Sequence, residues 1–440
     1  HFYLLDQGAL RLMARSGTRV TLGGLTDTTL RVVDVTKPAA VRELPVTFTA
    51  VPGGYTGFVQ VSGGDATLYA FTPTRVSAPA GIVRNVPSNL SNKKTRADLV
   101  IIAHPSLLAA VAPLQAHRRL QGLATVLADV TDVYDEFGFG EKSPDAIRAF
   151  LNVAREKWDR APGYVLLVGD ASFDPKDYLG FGDFDLVPTR MVSTAYMLTD
   201  SDDGLVDFDG DGLPDMAIGR LPVRTAAEAA TVVSKIVSHD QPGAAGAWSS
   251  KVLLVSDAKD EFDFTAASGQ LVPLMPAGLT TQPVSVDALG SAGARSAIVS
   301  AVNAGQLLVN YMGHGSEDVW SQSDIFNGSD AAALTNGTKL PTFVLMTCLN
   351  GLFDDLWVES LAESLLKAPA GGAVAVWASS TLTAPEPQAV LNQALFQLLQ
   401  SPSMRLGDAV KNAKAAVTDP DVRRSWILFG DPTMRLRPAP

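Results

Sequence analysis

Short apolar runs bounded by Gly, Pro or Asn recur through the second half of the chain. The run at 307–312 stops at Gly313-His314-Gly315, and the run at 343–346 stops at Thr347-Cys348. Neither run alternates polar and apolar positions, which predicts strands buried on both faces of a parallel sheet. Because ligands of open α/β sheets bind beyond the carboxyl ends of the strands, we expect His314 and Cys348 to face one cleft.

From Ala97 onward, the pattern predicts strands that alternate with helices. The apolar runs at 99–103 and 164–168 each predict a strand. Between them, Ser143 and Pro144 are typical of the N-cap and the first position of a helix. Such alternation is typical of a parallel sheet with helices on both faces. We therefore predict an α/β fold, with a first subdomain at 97–240 and a catalytic subdomain at 241–440.

The first 80 residues have a different pattern. Partly alternating runs such as Thr67-Leu68-Tyr69-Ala70-Phe71 are separated by glycine pairs, which predicts antiparallel β structure. Residues 81–96, rich in Ser, Asn and Lys, are predicted to be a linker. The chain starts at His1 as if in the middle of a strand and without a signal peptide, so we expect this β-rich module to be truncated.

Composition narrows the classes of function. The chain has 440 residues, 46% of them hydrophobic, which is enough for a large core. A formal charge of −11 argues against a nucleic-acid partner, whose phosphates need a basic surface. No stretch of about 18 apolar residues predicts a membrane span. A single cysteine excludes an internal disulfide, and the oligomeric state is left open.

The pair of His314 and Cys348 has a specific chemical use. A thiol is mostly protonated at neutral pH, and an adjacent imidazole can accept its proton or stabilise the thiolate. The backbone N–H groups of Gly315 and Cys348 are candidate donors to an oxyanion. Taken singly, a Cys is usually a small buried apolar residue and a His a satisfied polar group. Their positions after two buried strands favour a catalytic dyad.

An acidic loop at 205–215 suggests a metal site. Four carboxylates follow the spacing of positions 1, 3, 5 and 9 of an EF-hand calcium loop, with Gly210 and Gly212 between them. Position 12 is Ile218 in place of the bidentate Glu, and a solvated acidic turn is the alternative. Crowded carboxylates repel one another without a counter-ion, so we expect structural calcium. The expected ligands are Asp207, Asp209, Asp211 and Asp215.

An apolar strand followed by His-Gly, and a second followed by Cys, resembles the signature of the caspase, legumain and gingipain group of cysteine peptidases. The sequences around His314 (Tyr-Met-Gly-His-Gly-Ser) and Cys348 (Met-Thr-Cys-Leu-Asn-Gly) are similar to those of the gingipain family in particular. The stretches at 166–172, 218–224 and 428–432 are also similar to gingipain-type domains. The resemblance covers about residues 97–437.

This resemblance implies a caspase-like fold, a cysteine endopeptidase acting on proteins or peptides, structural calcium, no organic cofactor, and an exported bacterial protein that is secreted or held at the cell surface. It places an acid that orients His314 in the region of Asp200 and Asp202. It places substrate contacts at Leu382 and Thr383, where the best-known relatives have an aromatic residue, so the residue preference at the cleavage site is left open.

Two other interpretations remain alongside the endopeptidase. A sortase-like transpeptidase of a bacterial secretion system uses the same dyad but passes the acyl group to an amine. A surface module could instead keep the fold without catalysis, although such modules usually lose one member of the dyad. The acids Asp257, Asp260, Glu261 and Asp263, which follow a predicted strand at 251–255, are interpreted as a solvated loop.

Overall fold

The computed structural model describes residues 2–5, 7–79, 81, 84–241 and 243–437. The chain divides into two compact units, 1–86 and 87–440. In the part of the chain that is described, no helix is both long enough and apolar enough to cross a membrane.

The first unit contains two four-stranded sheets, with strand orders β1-β3-β7-β6 and β2-β8-β4-β5. Alternate residues of these strands point into one shared core, which includes the fully buried Val20, Leu22, Val32 and Leu68. The structure therefore shows a β-rich N-terminal module. Its strands are β1 (Phe2–Leu4), β2 (Ala9–Ala14), β3 (Arg19–Leu25), β4 (Arg31–Asp34), β5 (Arg42–Leu44), β6 (Thr47–Val51), β7 (Gly54–Gln60) and β8 (Ala66–Phe71).

The second unit is organised around a ten-stranded sheet within the described residues. Two short antiparallel pairs, β12–β13 and β18–β19, lie outside that sheet. The strands of the unit are β9 (Leu99–Ala103), β10 (Thr125–Asp129), β11 (Tyr164–Val168), β12 (Arg190–Ser193), β13 (Leu198–Ser201), β14 (Ala217–Leu221), β15 (Lys251–Ser256), β16 (Thr280–Ser285), β17 (Leu308–Met312), β18 (Val319–Trp320), β19 (Phe326–Asn327), β20 (Thr342–Met346), β21 (Ala375–Ser379) and β22 (Trp426–Phe429).

Helices connect these strands. Several begin at side-chain caps: Ser143 accepts from the N–H of Asp145, and Ser360 forms a reciprocal capping box with Glu363. The helices are α1 (Leu108–Leu120), α2 (Val130–Gly138), α3 (Pro144–Lys157), α4 (Ala226–His239), α5 (Phe264–Gly269), α6 (Val286–Ala304), α7 (Gly328–Ala332), α8 (Leu361–Lys367), α9 (Pro385–Leu399), α10 (Leu406–Ala413) and α11 (Pro420–Ser425).

The large sheet has the order β10-β9-β11-β14-β22-β21-β20-β17-β15-β16 and is mostly parallel. The last strand, β22, lies between the two halves, antiparallel to β21 and opposite β14 at Arg220 and Phe429. The loops after β11 and β14 meet the loop after β20, because Phe173 N–H donates to Asp354 O and Arg224 donates to Asp355 O. One edge of the sheet thus carries the loops that follow strands of both halves.

Both faces of the sheet are covered. Along β9, Leu99 and Ile101 enter the apolar cluster formed with α1 and α4, whereas Val100 and Ile102 enter the cluster formed with α2 and α3. Alternate side chains of a strand point to opposite faces, so a strand covered on both sides is apolar throughout. This is the physical origin of the unbroken apolar runs seen in the sequence.

The structure confirms the predicted α/β class with a mostly parallel sheet, helices on both faces and a β-rich N-terminal module. The predicted subdomain boundary at 240/241 falls between α4 and β15, within one continuous sheet. Of the predicted linker at 81–96, Pro87 onward belongs to the second unit, where Glu136 accepts bonds from Ser88, Leu90 and Ser91. Residues 82 and 83 lie outside the described residues.

Candidate active site

Two adjacent strands bring the candidate dyad to one place. Strands β17 and β20 are wholly buried and pair in parallel, with Met312 opposite Met346. His314 lies two residues after Met312, and Cys348 lies two residues after Met346. The two side chains therefore leave the same edge of the sheet from neighbouring strands.

Two glycines allow the chain to pass tightly around His314. A Cβ at Gly313 would lie 2.4 Å from the Tyr311 hydroxyl, and one at Gly315 would lie 2.6 Å from Thr347 Oγ1. Both separations are shorter than real Cβ contacts, so any other residue would displace the loop. These glycines are packing requirements of the turn that carries the imidazole.

The backbone of His314 is held from three directions. Its N–H donates to Asp257 Oδ2 at 3.2 Å, and its carbonyl accepts from the Tyr311 hydroxyl at 2.6 Å and from the Ser321 N–H at 2.7 Å. Asp257 and Tyr311 are buried. The position of the imidazole is thus fixed by its own main chain, while half of its side chain stays exposed.

Asp260 is the carboxylate that reaches His314. Its Oδ2 lies 2.6 Å from Nε2 of the imidazole, and the ring edge also packs against Phe264 with ring centroids 5.4 Å apart. The backbone N–H of Phe262 and then the bond to His314 lower the pKa of Asp260. An ionised acid bound to one ring nitrogen leaves Nδ1 as the nitrogen that can exchange a proton.

Cys348 is partly buried. Burial raises the pKa of its thiol, and a smaller opposite effect comes from the backbone N–H of Thr383, which donates to Sγ at 3.4 Å. The thiol also lies 3.6 Å from Thr383 O. A buried thiol with a raised pKa is protonated at rest, so activation requires a base to take its proton.

The turn after Cys348 adopts an unusual backbone conformation. Leu349 has a φ of 60°, in the left-handed region that non-glycine residues rarely occupy. The next residue, Asn350, is fully buried, and its amide donates to Ser316 O at 2.5 Å while its Oδ1 accepts from Trp320 Nε1 at 2.8 Å. Asn350 therefore joins the loop after Cys348 to the loop after His314.

Asp200 and Asp202 lie elsewhere. Both oxygens of Asp202 accept from Arg220 at 2.7 Å, and Oδ1 also accepts from Thr189. Asp200 is fully buried and accepts from the N–H of Phe353 at 3.4 Å. Burial, and then repulsion from Asp354, raises the pKa of Asp200 well above its usual range. The acid next to His314 is Asp260, from the loop that the sequence had suggested was merely solvated.

The two predicted substrate contacts flank the thiol on the side of β21. Leu382 is 38% exposed, and Thr383 contacts Sγ through its main chain. Gln388, near the start of α9, donates to both the carbonyl and the hydroxyl of Thr383. This segment is therefore fixed against the nucleophile.

The acidic loop brings three of its four carboxylates together. Oxygens of Asp207, Asp209 and Asp215 lie within 4.8 Å of one another. Asp207 also accepts from the N–H groups of Gly210 and Gly212, so the chain wraps around this carboxylate. Asp211 is not part of the group and instead accepts from the N–H of Leu213.

Sequence reasoning missed three residues of the site: Asp257, Asp260 and Asn350. The two acids follow β15, which is adjacent to β17 in the sheet, so a correct strand order would have placed them beside His314. Asn350 had only a weak signal, a buried amide between two apolar segments. Their roles depend on strand order and on hydrogen bonds, neither of which a local pattern reveals.

Comparisons with known proteins agree with this architecture. The chain is 31% identical to gingipain R2 of Porphyromonas gingivalis over 157 residues, which is 32% of this chain and 21% of that protein. Gingipain R1 of the same species matches at 31% over 157 residues, 15% of its length. The chain thus spans about a fifth or less of the length of the curated relatives it matches.

Solved structures match over more of the chain. The crystal structure of the Arg-specific cysteine proteinase gingipain R aligns with a TM-score of 0.63 at 22% identity, covering 80% of both chains. The complex of the pro- and mature domains of RgpB from Porphyromonas gingivalis gives a TM-score of 0.64 at 20% identity, covering 78% of this chain and 80% of that one. At these identities the likeness shows the fold.

The sheet and its helices define a caspase-like α/β fold, and His314 and Cys348 follow adjacent strands at one edge of its sheet. The sequence model of Peptidase family C25 matches residues 92–437. The chain belongs to this family, which includes the gingipains.

Proposed function

We propose that this protein is a cysteine endopeptidase in which Cys348 and His314 form the catalytic dyad. The observation that supports this most directly is the paired register of β17 and β20, which presents both side chains at one edge. Membership of Peptidase family C25 supports the same reaction class. A protein or peptide chain is the substrate.

The resting thiol is neutral, because burial raises the pKa of Cys348. When a substrate carbonyl approaches, Nδ1 of His314 takes the proton as Sγ attacks the carbonyl carbon. Asp260 holds the other ring nitrogen and stabilises the imidazolium that forms. In this scheme, the backbone N–H groups of Gly315 and Cys348 donate to the developing oxyanion.

Collapse of the tetrahedral species breaks the carbon–nitrogen bond, and the imidazolium proton goes to the leaving amine. The acyl group remains on Sγ as a thioester. Water, deprotonated by His314, then attacks the thioester and releases the acid together with the free thiol. A transpeptidase would differ only in this last step, where an amine replaces water.

We also propose that the acidic loop binds calcium. Hard carboxylate oxygens are suitable ligands, and the loop presents three of them within 4.8 Å. In the part of the chain that is described, no Lys or Arg forms an ion pair with the carboxylates of Asp207, Asp209 or Asp215, and Arg148 donates to the main-chain carbonyl of Asp207. The three carboxylates therefore repel one another at short range, which an ion between them would relieve. The ion would stabilise the loop and take no part in the reaction.

We also propose, from membership of the family that includes the gingipains, that the parent protein is exported by a bacterium and is secreted or held at the cell surface. This proposal concerns the parent chain and does not depend on the site geometry.

The deciding experiment for function is incubation of the protein with a labelled peptide library, with and without a thiol alkylator. Cleavage that the alkylator abolishes supports the peptidase, and mass spectrometry of the products separates hydrolysis from transfer to an added amine. Absence of any cleaved or transferred product would leave the non-catalytic module as the correct interpretation.

A further inference from the structure

A cavity opens beside the imidazole. It has a volume of about 560 Å³ and its walls come from the chain that follows β17. A volume of several hundred Å³ is typical of sites that hold a side chain or a small ligand. Its walls include His314, Gly315, Ser316, Asp318 and Asp324.

The cavity carries one carboxylate with no partner. Asp324 is neutralised, since it accepts from Arg295 at 3.0 Å and from Asn327 at 2.9 Å. Asp318 is half-buried, and among the described residues its carboxylate makes neither a hydrogen bond nor an ion pair. No Lys or Arg contributes to the described walls. The cavity is therefore negatively charged and lacks an internal cation.

The backbone that presents Asp318 is fixed. The N–H of Ser316 donates to Val319 O, the carbonyl of Glu317 accepts from Leu361, and the carbonyl of Asp318 accepts from Gly328. Asn350 adds a bond to the Ser316 carbonyl. A carboxylate on such a backbone is pre-organised, which reduces the ordering cost of binding.

The strand order indicates which part of a substrate this cavity faces. The sheet runs β21-β20-β17, so Thr383 flanks Cys348 on one side and His314 flanks it on the other. In the proposed reaction, His314 gives its proton to the leaving amine. The chain on the amine side of the broken bond therefore passes the imidazole and reaches the cavity walls.

We infer that this cavity is the subsite for the first residues on the leaving side of the scissile bond, and that Asp318 makes it select a lysine or arginine side chain there. The inference rests on the proposed peptidase function and adds a specificity that concerns the leaving segment alone. It is independent of which residue is preferred on the acyl side.

The test uses quenched fluorescent peptides built on one acyl sequence selected from the library. They differ only at the first or second residue after the scissile bond. At each of these positions, lysine is compared with its neutral near-isostere norleucine and with glutamate. We expect kcat/KM to be about 5- to 10-fold higher for lysine than for norleucine at one of the two positions, the size expected for one partly screened charge pair. The preference should shrink at high salt.

Variants then assign the preference to one residue. Asp318→Asn should bring the lysine-to-norleucine ratio close to one, Asp318→Glu should restore part of it, and Asp318→Lys should favour glutamate instead. Glu317→Gln is the matched control, because it removes the same charge from the adjacent residue, which is not part of the described cavity wall. It should keep the wild-type ratio.

Equal rates for lysine, norleucine and glutamate at both positions would overturn the inference while leaving the peptidase intact. A lysine preference that survives in Asp318→Asn, or that Glu317→Gln removes equally, would also overturn it. If no peptide is cleaved at all, the proposed function fails and the subsite fails with it.

Discussion

Two acidic regions near the same edge of the sheet behave in opposite ways. In the segment 200–203, the carboxylate of Asp202 is fully enclosed and held by Arg220, whose side chain has no exposed surface. In the loop after β15, Asp260 is nearly half exposed, and its partner is the half-exposed imidazole of His314. When one partner of a buried ion pair changes its charge, the other is left as an uncompensated buried charge, which costs much free energy. An exposed acid is solvated by water whether the imidazole beside it is neutral or charged.

An acidic residue in the expected stretch of sequence is therefore not by itself a catalytic acid. Asp202 neutralises a buried arginine that also donates to Gly169 O and Val187 O, so its role is structural. The carboxylate of Asp260 is exposed, and its hydrogen-bond partners are the imidazole of His314 and the N–H of Phe262. Burial and partner together decide between these roles.

The largest expected effect is on stability and comes from the buried region. Asp202→Ala leaves Arg220 as an uncompensated buried charge, which typically costs about 3–5 kcal/mol of the free energy of unfolding. Thermal unfolding should show a melting temperature lower by about 4–7 °C. The matched variant Asp260→Ala should melt close to the wild type, and an equal loss in both would remove the contrast.

The next effect is on activity and comes from the exposed region. Asp260→Asn keeps the shape of the side chain but removes the charge that stabilises the imidazolium, so kcat/KM should fall about 100-fold, or about 2.7 kcal/mol. The melting temperature should hardly change. Glu261→Gln, a neutralised exposed neighbour, is the control and should retain full activity. Unchanged kinetics in Asp260→Asn would contradict a role for this acid.

A third acidic region sharpens the contrast, because Asp207, Asp209 and Asp215 have neither a buried arginine nor an imidazole. Calcium should therefore stabilise the protein, by about 2.7 kcal/mol at a hundredfold excess over its dissociation constant, and a chelator should reverse the gain. Asp209→Asn should abolish most of this response, whereas Asp211→Asn, outside the three-carboxylate group, should retain more of it. Equal responses in the two variants would place any ion elsewhere.

The smallest effect is a pH dependence at Asp354, whose carboxylate repels that of Asp200 in the buried region. Burial raises the pKa of Asp354 to about 6, above its unfolded value, so the folded chain holds this proton more tightly. The contribution of Asp354 to the free energy of unfolding therefore falls as pH rises from about 4 to about 6, by roughly 1 kcal/mol or more. Asp354→Asn should flatten this part of the stability profile, and a difference of opposite sign would show that the carboxyl ionises readily in the folded state.

Much of the fold could be predicted because buried strands and helix caps leave local signals. The strand at 99–103 and the start of α3 at Pro144 lie where the sequence placed them. Helix α8 begins at Leu361, where the reciprocal capping box of Ser360 and Glu363 sets its start. Caps that involve two side chains outweigh helix propensity at the boundary.

The sequence predicted which residues form the candidate dyad, but it did not predict their hydrogen-bond partners. His314 and Cys348 are found by strand ends and residue type, but the partner of the imidazole depends on the sheet order β15-β17-β20, which brings residue 260 beside residue 314. The choice of Asp200 and Asp202 followed position along the chain, and tertiary packing gave those acids to Phe353 and Arg220. Sequence separation carries no information about which strand lies next to which.

If Cys348 and His314 act as one catalytic unit, kcat/KM for a cleaved peptide should respond in the same way to Cys348→Ala, His314→Ala and the double variant. Each single change should abolish nearly all turnover, with the double variant scarcely worse than either, because the benefit of a catalytic pair is lost with its first member. Near wild-type turnover in Cys348→Ala, or a His314→Ala loss that merely follows a lower melting temperature, would contradict the claim.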